Sequence, residues 1–186
     1  MQLDVRSLPI PEVKLVKTKR ISDTRGYFSE TYTRSAFAKC SVDHDFVQDN
    51  QSCSAAVGTV RGLHYQSPPF AQTKLVRVLR GKILDVAVDL RRSSPNYGKH
   101  VAVELSEESD EQLIVPAGFA HGFCTMEPNT IVFYKVDAHY SPEHDRGINW
   151  ADPALGIAWP VSKESAILSD KDRRLPMLGE SPHVFN

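Results

Sequence analysis

The sequence predicts an all-β fold, a sandwich or barrel of short strands with only minor helix. Two observations carry this: apolar and polar residues alternate with a period of two in one segment after another, and proline, glycine and asparagine punctuate the chain at roughly 8–12-residue spacing. In order, residues 13–16 read as a short strand, and Asp23-Thr24-Arg25-Gly26 as a turn. Residues 27–32 follow as an aromatic strand, then one or two helical turns over residues 35–40. Residues 46–52 are strand-like and carry adjacent amides. Leu75 to Leu79 is β-branched and closes at Gly81, as a strand ending in a turn does. Leu84, Val86, Val88 and Leu90 alternate with Asp85, Ala87 and Asp89, the pattern of a half-buried strand. After a turn at residues 93–98, Val101, Val103 and Leu105 alternate again, and the acidic residues 107–111 read as a solvated turn. Leu113-Ile114-Val115 leads through Pro116-Ala117-Gly118 into a strand from Phe119, and residues 130–136 alternate once more. Residues 162–171, beyond the Pro160 break, read as a helix with Ser162 as N-cap.

The 186 residues suit a single domain, residues 1–186, with a core that needs neither disulfide nor metal. Net charge is −1 from 22 basic and 23 acidic residues, with no basic block, so no nucleic-acid partner is expected. No apolar run approaches the roughly 20 residues of a membrane span, so no membrane partner is expected either. The start, Met1-Gln2-Leu3-Asp4-Val5, lacks a signal-peptide pattern. Cys40, Cys53 and Cys124 show no paired spacing. A cytoplasmic location is the expectation, and Cys124, in an apolar run, reads as a buried, inert thiol.

The chemistry gathers around Arg61-Gly62-Leu63-His64-Tyr65-Gln66 and Lys74. Pro116-Ala117-Gly118-Phe119-Ala120-His121 resembles the second signature of the cupin superfamily, and Gly62 to Gly81 roughly resembles the first. That resemblance implies a cupin-type jelly roll. In metal-binding cupins the first signature supplies two histidines and a glutamate. Here Gln66 and Lys74 occupy the second histidine and glutamate positions. An ammonium repels a divalent cation, and His64 with His121 alone makes a poor ligand set, so a metal-free cavity is expected. A histidine, a lysine and a tyrosine in one cavity suit proton abstraction beside a carbonyl: a base, a stabiliser of the oxyanion and an acid on the other face. The residues alone leave open whether these are a site or scattered structural side chains.

Ordered blocks decide it. Asp23-x-Arg25-Gly26-x-Phe28-x-Glu30, Phe46-Val47-Gln48-Asp49-Asn50, Arg61 to Gln66, Lys74 to Arg77, Gly118 to Phe123, Tyr140-Ser141-Pro142 and Leu168-Ser169-x-Lys171-Asp172 together resemble the dTDP-4-dehydrorhamnose 3,5-epimerases over nearly the whole chain. The resemblance implies a homodimer with an exchanged N-terminal strand, no cofactor, and a dTDP-linked 4-keto-6-deoxysugar as substrate. It implies His64 as base, Asp172 as its carboxylate partner, Lys74 as enolate stabiliser and Tyr134 as acid. For binding it implies Arg25, Arg61 and Lys171 at the diphosphate, and Gln48, Asn50 and Glu30 at thymine or ribose. His121 matches a sugar- or phosphate-contacting position, Tyr140 a base-stacking one, and Asp145 an acidic contact. A strand-flanking ion pair is the alternative reading of Arg25 and Glu30. His44, His100, His139, His144 and His183 match no site and read as surface. The chain departs from the family at Gln51 and Cys53, where a histidine and a basic residue are usual, and at Asp137-Ala138-His139. The implied activity is double epimerisation, with a single-position epimerase of a related sugar as the runner-up. A metal-dependent cupin and a non-catalytic sugar-nucleotide binder are further alternatives.

Overall fold

The computed structural model describes residues 3–182 and 184–186; Met1 and Gln2 of the chain's start, and His183, lie outside the described residues. The strands are β1 (Asp4–Ser7), β2 (Lys14–Lys17), β3 (Arg20–Asp23), β4 (Gly26–Ser29), β5 (Gln48–Ser54), β6 (Val60–Gln66), β7 (Lys74–Arg80) and β8 (Lys82–Asp89), followed by β9 (His100–Ser106), β10 (Glu111–Val115), β11 (Phe119–Thr125), β12 (Thr130–Val136) and β13 (Asp145–Gly147). Helix α1 (Arg34–Lys39) precedes β5, and α2 (Asp170–Arg173) lies near the end. Six strands form one sheet in the order β1-β2-β10-β7-β12-β5, and five form the other as β13-β6-β11-β8-β9. The β3–β4 hairpin stands as a separate two-stranded sheet.

Side chains on a strand alternate between faces, so each strand feeds two layers. Val76, Val78, Leu113, Val115 and Val132 from the six-stranded sheet meet Ile83, Ala87, Val101, Leu105, Phe119 and Phe123 from the other in the central core. The outer face of the five-stranded sheet is not solvated. Leu63, Tyr65, Val86, Val88 and Ala120 pack there under Ile148, Leu155 and Leu178 of the C-terminal segment. On the other side, Phe37 of α1 and Val42 cover Val16, Leu75 and Ile114.

That covering inverts the expectation for β8. Its leucine and valines face the C-terminal segment, while Ile83, Asp85 and Ala87 face the interior between the sheets. Asp85 and Asp89 are fully buried rather than solvated. Asp89 is neutralised by Arg91 at 2.7 Å. The acidic turn is likewise engaged, since Asp110 is ion-paired with Arg20.

The helix expected over residues 162–171 does not form. Ser162 does begin a single turn, its carbonyl accepting from Ala166 N at 3.0 Å. The chain then breaks away: Ile167 forms a parallel bridge with Thr59, and Val60 N donates to Ile167 O at 2.9 Å. Ala166 buries against Val60, Cys124 and Trp150, which offsets the helical hydrogen bonds forgone. Ser169, not Ser162, caps a helix here, accepting from Asp172 N at 3.1 Å ahead of α2.

Near the site, β6 and β11 approach so closely that only glycine fits. A Cβ on Gly122 would lie 2.7 Å from Arg61 O and 3.0 Å from Gly62 Cα; one on Gly62, at φ +128°, would lie 2.6 Å from Gly122 Cα. The register between β6 and β11 shifts between His121 and Phe123, and His121 lands directly opposite His64. Backbone atoms of a neighbouring strand cannot swing aside as a flexible side chain can. Gly122→Ala is therefore expected to destabilise the chain by about 1–3 kcal/mol, read as a lower urea midpoint with an unchanged m value.

Candidate active site

One face of each sheet builds the cavity. In the six-stranded sheet, Gln48, Asn50 and Ser52 repeat at every second residue of β5. Tyr134 of β12 pairs with Asn50 on one side and with Val76 of β7 on the other, so Lys74, two residues from Val76, shares the inner face. From the five-stranded sheet come His64 and His121, opposite each other. Arg61 spans the two, its Nε donating to Ser54 Oγ at 3.0 Å and a terminal nitrogen to Cys53 O at 3.1 Å. The cavity these residues enclose is about 490 Å³, lined among others by Ser52, Arg61, His64, Lys74, His121, Tyr134, Lys171 and Asp172. A second lobe of about 300 Å³ shares His64, Lys74, Tyr134 and Lys171 with it and adds Gln48, Asn50, Gln66, Gln72, Tyr140 and Asp145.

His64 Nε2 lies 2.6 Å from Asp172 Oδ1. Burial alone would raise the Asp172 carboxyl, but bonding to His64, the charge of His64, Ser169 and the Gly62 backbone outweigh it and hold the group below its ordinary value. Asp172 is thus a carboxylate that accepts from His64 Nε2, as a second group fixes a catalytic imidazole in hydrolases. Because the folded value is depressed, the stabilisation from this pair is complete above the ordinary carboxylate range and is lost as pH falls through the lowered value.

Lys74 is buried in the floor, its Nζ donating to His64 O at 3.3 Å. Burial pushes the amine down to about 8, opposed by the charges of Asp85 and Asp145 and reinforced by Lys171. Tyr134 is raised, first by burial, with Arg61 pulling down and Asp145 pushing up. It keeps its phenolic proton at neutral pH and is equipped to donate it. His121 is buried with Nε2 at 2.6 Å from Asp85 Oδ1.

The second lobe is held by amides. Gln48 Nε2 donates to Asn50 Oδ1 at 2.8 Å, and Tyr140 N donates to Gln48 Oε1 at 3.0 Å. Tyr140 donates its hydroxyl to Asp145 at 2.9 Å, and Lys171 is ion-paired with the same carboxylate. The Tyr140 ring is exposed at the mouth. Gln66 is fully engaged with backbone: Nε2 donates to Phe70 O at 2.7 Å and His139 O at 3.1 Å, while Oε1 accepts from Ser141 N at 2.7 Å. It braces the loop that carries Tyr140.

The structure therefore brings eleven of the thirteen expected site residues together (His64, Lys74, Tyr134, Asp172, Gln48, Asn50, Arg61, His121, Tyr140, Asp145, Lys171) and leaves two outside. Arg25 sits in the β3–β4 turn, paired with Asp23 at 2.6 Å, and Glu30 accepts from Thr33; neither lines the cavity of its own chain. For Arg25 the alternative reading, a strand-flanking ion pair, is what forms within the chain, with Asp23 as the partner. His44 is not a plain surface residue: Nδ1 lies 3.0 Å from Asp137, which in turn accepts from Thr73 N. Sequence reasoning missed Ser52 and Asp85 as site residues. Ser52 was legible from its phase with Gln48 and Asn50 on one strand; Asp85 was not, because the face it presents depends on the C-terminal cover. Cys124 is buried, and burial raises its thiol to about 11.

Two β-sheets stacked into a jelly roll, with a buried lysine and a histidine–carboxylate pair aimed into the space between them, define a cupin-like isomerase. The family model for dTDP-4-dehydrorhamnose 3,5-epimerase matches residues 7–180, and the chain belongs to that family. It is 55% identical over 180 residues to the dTDP-4-dehydrorhamnose 3,5-epimerase of Sinorhizobium fredii, covering 97% of this chain and 92% of that one. It resembles the crystal structure of the Bacillus anthracis enzyme with TDP and PPi bound, at a TM-score of 0.92, 49% identity and coverage of 95% and 99%. It also resembles the Legionella pneumophila enzyme in complex with dTDP-4-keto-L-rhamnose, at a TM-score of 0.93, 38% identity and coverage of 97% and 95%.

An unfolded lysine holds its proton up to its ordinary value near 10.5, whereas buried Lys74 lets go at about 8. The difference costs the folded chain about 3 kcal/mol below that pH and vanishes as pH climbs toward the ordinary value. Lys74→Met is therefore expected to raise the denaturation midpoint at pH 7, with the gain shrinking above pH ~8; thermal melts across pH check it.

Proposed function

We propose that the chain epimerises C3 and C5 of dTDP-4-dehydro-6-deoxyglucose, giving dTDP-4-dehydrorhamnose. One observation carries the mechanism: His64 and Lys74, from opposite sheets, open into the same cavity beside Tyr134. His64 Nδ1 takes the proton from the carbon next to the 4-keto group. The C–H electron pair moves into the ring and the carbonyl pair onto oxygen, where the Lys74 ammonium stabilises the enolate. Tyr134 delivers a proton to the opposite face, and the carbonyl re-forms with the carbon inverted. C3 and C5 both flank the same ketone, so one base and one ammonium serve both once the imidazolium has released its proton to water and the Tyr134 phenolate has regained one from it. Asp172 orients the imidazole and favours its protonated form.

Arg61 and Lys171 suit the diphosphate by charge, Gln48 and Asn50 offer donors and acceptors to thymine or ribose, and Tyr140 offers a face for stacking. Asp145 holds Lys171 and Tyr140 in place, and His121 lies at the sugar end. Arg25 and Glu30 act on a neighbour in this reading. The β3–β4 hairpin that bears Arg25 pairs with neither large sheet and exposes Ile21, Tyr27 and Phe28 at 62%, 58% and 68%. An exposed apolar edge of this kind favours strand addition to a second copy.

With dTDP-4-dehydro-6-deoxyglucose in deuterated water, label is expected at both carbons; label at one carbon alone makes the chain a single-position epimerase. His64→Ala is expected to reduce turnover by ~10²–10⁴-fold with nucleotide binding kept, and Lys74→Met by ~10²–10³-fold. For the exchanged dimer, a heterodimer of one Arg25→Ala subunit and one His64→Ala subunit rebuilds one intact site. Recovery of about half the wild-type activity per dimer is expected from that arrangement, and no recovery sinks it.

A further inference from the structure

The charged groups around the Lys74 ammonium differ in how far they are already engaged. From β6, the His64 backbone carbonyl accepts its hydrogen bond, and the His64 ring is bound to Asp172. From β13, Asp145 is taken up by Lys171 and Tyr140. Lys171 itself faces the ammonium as a like charge, and Tyr134 on β12 is neutral at pH 7. On the far sheet His121 of β11 is tied to Asp85 of β8. Of these carboxylates, Asp85 has an oxygen to spare. It is 0% exposed, one oxygen lies 2.6 Å from His121 Nε2, and the other, Oδ2, is buried with no hydrogen-bond partner. Among the described residues no carboxylate stands at ion-pair distance from Lys74 Nζ. A buried half-satisfied carboxylate and a buried ammonium are each costly alone and offset each other across a low-dielectric gap.

We infer that Asp85 is a positioning residue: its unpartnered oxygen is the buried counter-charge that keeps Lys74 an ammonium, while its other oxygen fixes the His121 ring. The direction of the electrostatics agrees, since Asp85 is the foremost of the charges opposing the burial of Lys74. Oxyanion stabilisation needs the proton on that nitrogen, because a neutral amine offers no charge to an enolate. This rests on the epimerase reading only for what the ammonium does, not for its protonation.

Asp85→Asn preserves the shape and the bond to His121 while removing the charge. The ε-nitrogen of Lys74, followed by NMR in lysine-labelled protein, is expected to titrate roughly 1–3 pH units lower in the variant than in wild type. The alkaline limb of kcat/KM is expected to move down with it, activity returning as pH is lowered. A Lys74 titration that stays put in folded Asp85→Asn overturns the inference and leaves Asp85 as a mere anchor for His121. If the variant fails to fold, the wild-type chain decides: the Asp85 carboxyl carbon is expected to shift in step with loss of the Lys74 proton, and a flat trace overturns the inference. Both NMR readouts are independent of turnover, so an inactive wild type defeats the epimerase reading without touching them.

Discussion

A full positive charge sits between two apolar sheets, and most of the site is arranged to tolerate it. Burial drives Lys74 toward the neutral amine, down to about 8, against the opposing charges of Asp85 and Asp145. Val76 and Val78, its in-phase neighbours on β7, belong to the central core, so the ammonium cannot retreat to solvent without breaking that strand's alternation. Rigidity of this kind is what electrostatic catalysis needs: the charge is in position before any develops on a substrate, and nothing must reorganise. The stability forgone is the other side of the same arrangement.

The imidazole opposite is positioned by a longer route. His64 comes from a central strand, but Asp172 is 108 residues away in sequence. The C-terminal segment reaches it by laying Ile148 and Leu155 over the outer face of the five-stranded sheet and then stitching Ile167 to Thr59, just ahead of β6. One segment thus buries the back of the sheet, passes Asp172 to the front, and returns to the back with Leu178, Val184 and Phe185. Loosening the apolar cover would disturb the proton-transfer pair even though no residue of that cover touches the cavity.

The strands were legible because alternation and turn residues are local signals, and β5, β7, β9, β10, β11 and β12 fall where these signals lie. Failures share a cause, which is contact with chain far away in sequence. Residues 162–171 have helix-compatible composition, and Ser162 does start a turn, but tertiary packing of Ala166 and the bridge at Ile167 prevail over propensity. The alternation of β8 reads as a half-buried strand, yet a cover that begins some 60 residues later buries both of its faces, so the burial of Asp85 is not legible locally. Nothing around residues 145–147 marks β13 as a strand; it exists because β6 offers an open edge for Asp145 to Gly147. The proton-transfer set was legible only through resemblance, since spacing alone cannot place His64 and Asp172 in contact.

Gln66 and Lys74 show how one scaffold exchanges one kind of electrophile for another. Where a metal-binding relative would aim an imidazole and a carboxylate at a cation, this chain aims an amide and an ammonium. The amide has all its hydrogen bonds directed into the backbone of residues 70, 139 and 141. A group so committed cannot turn to ligate without releasing the loop that carries Tyr140. Gln66 is thereby a strut for the mouth of the cavity, while Lys74 supplies the charge. On the proposed assignment that division suits a ketone flanked by two acidic carbons. The charge is needed at one oxygen throughout, so it is held by an unbranched side chain in the core, whereas the sugar must present first one carbon and then the other, so the walls that hold its nucleotide are polar and open.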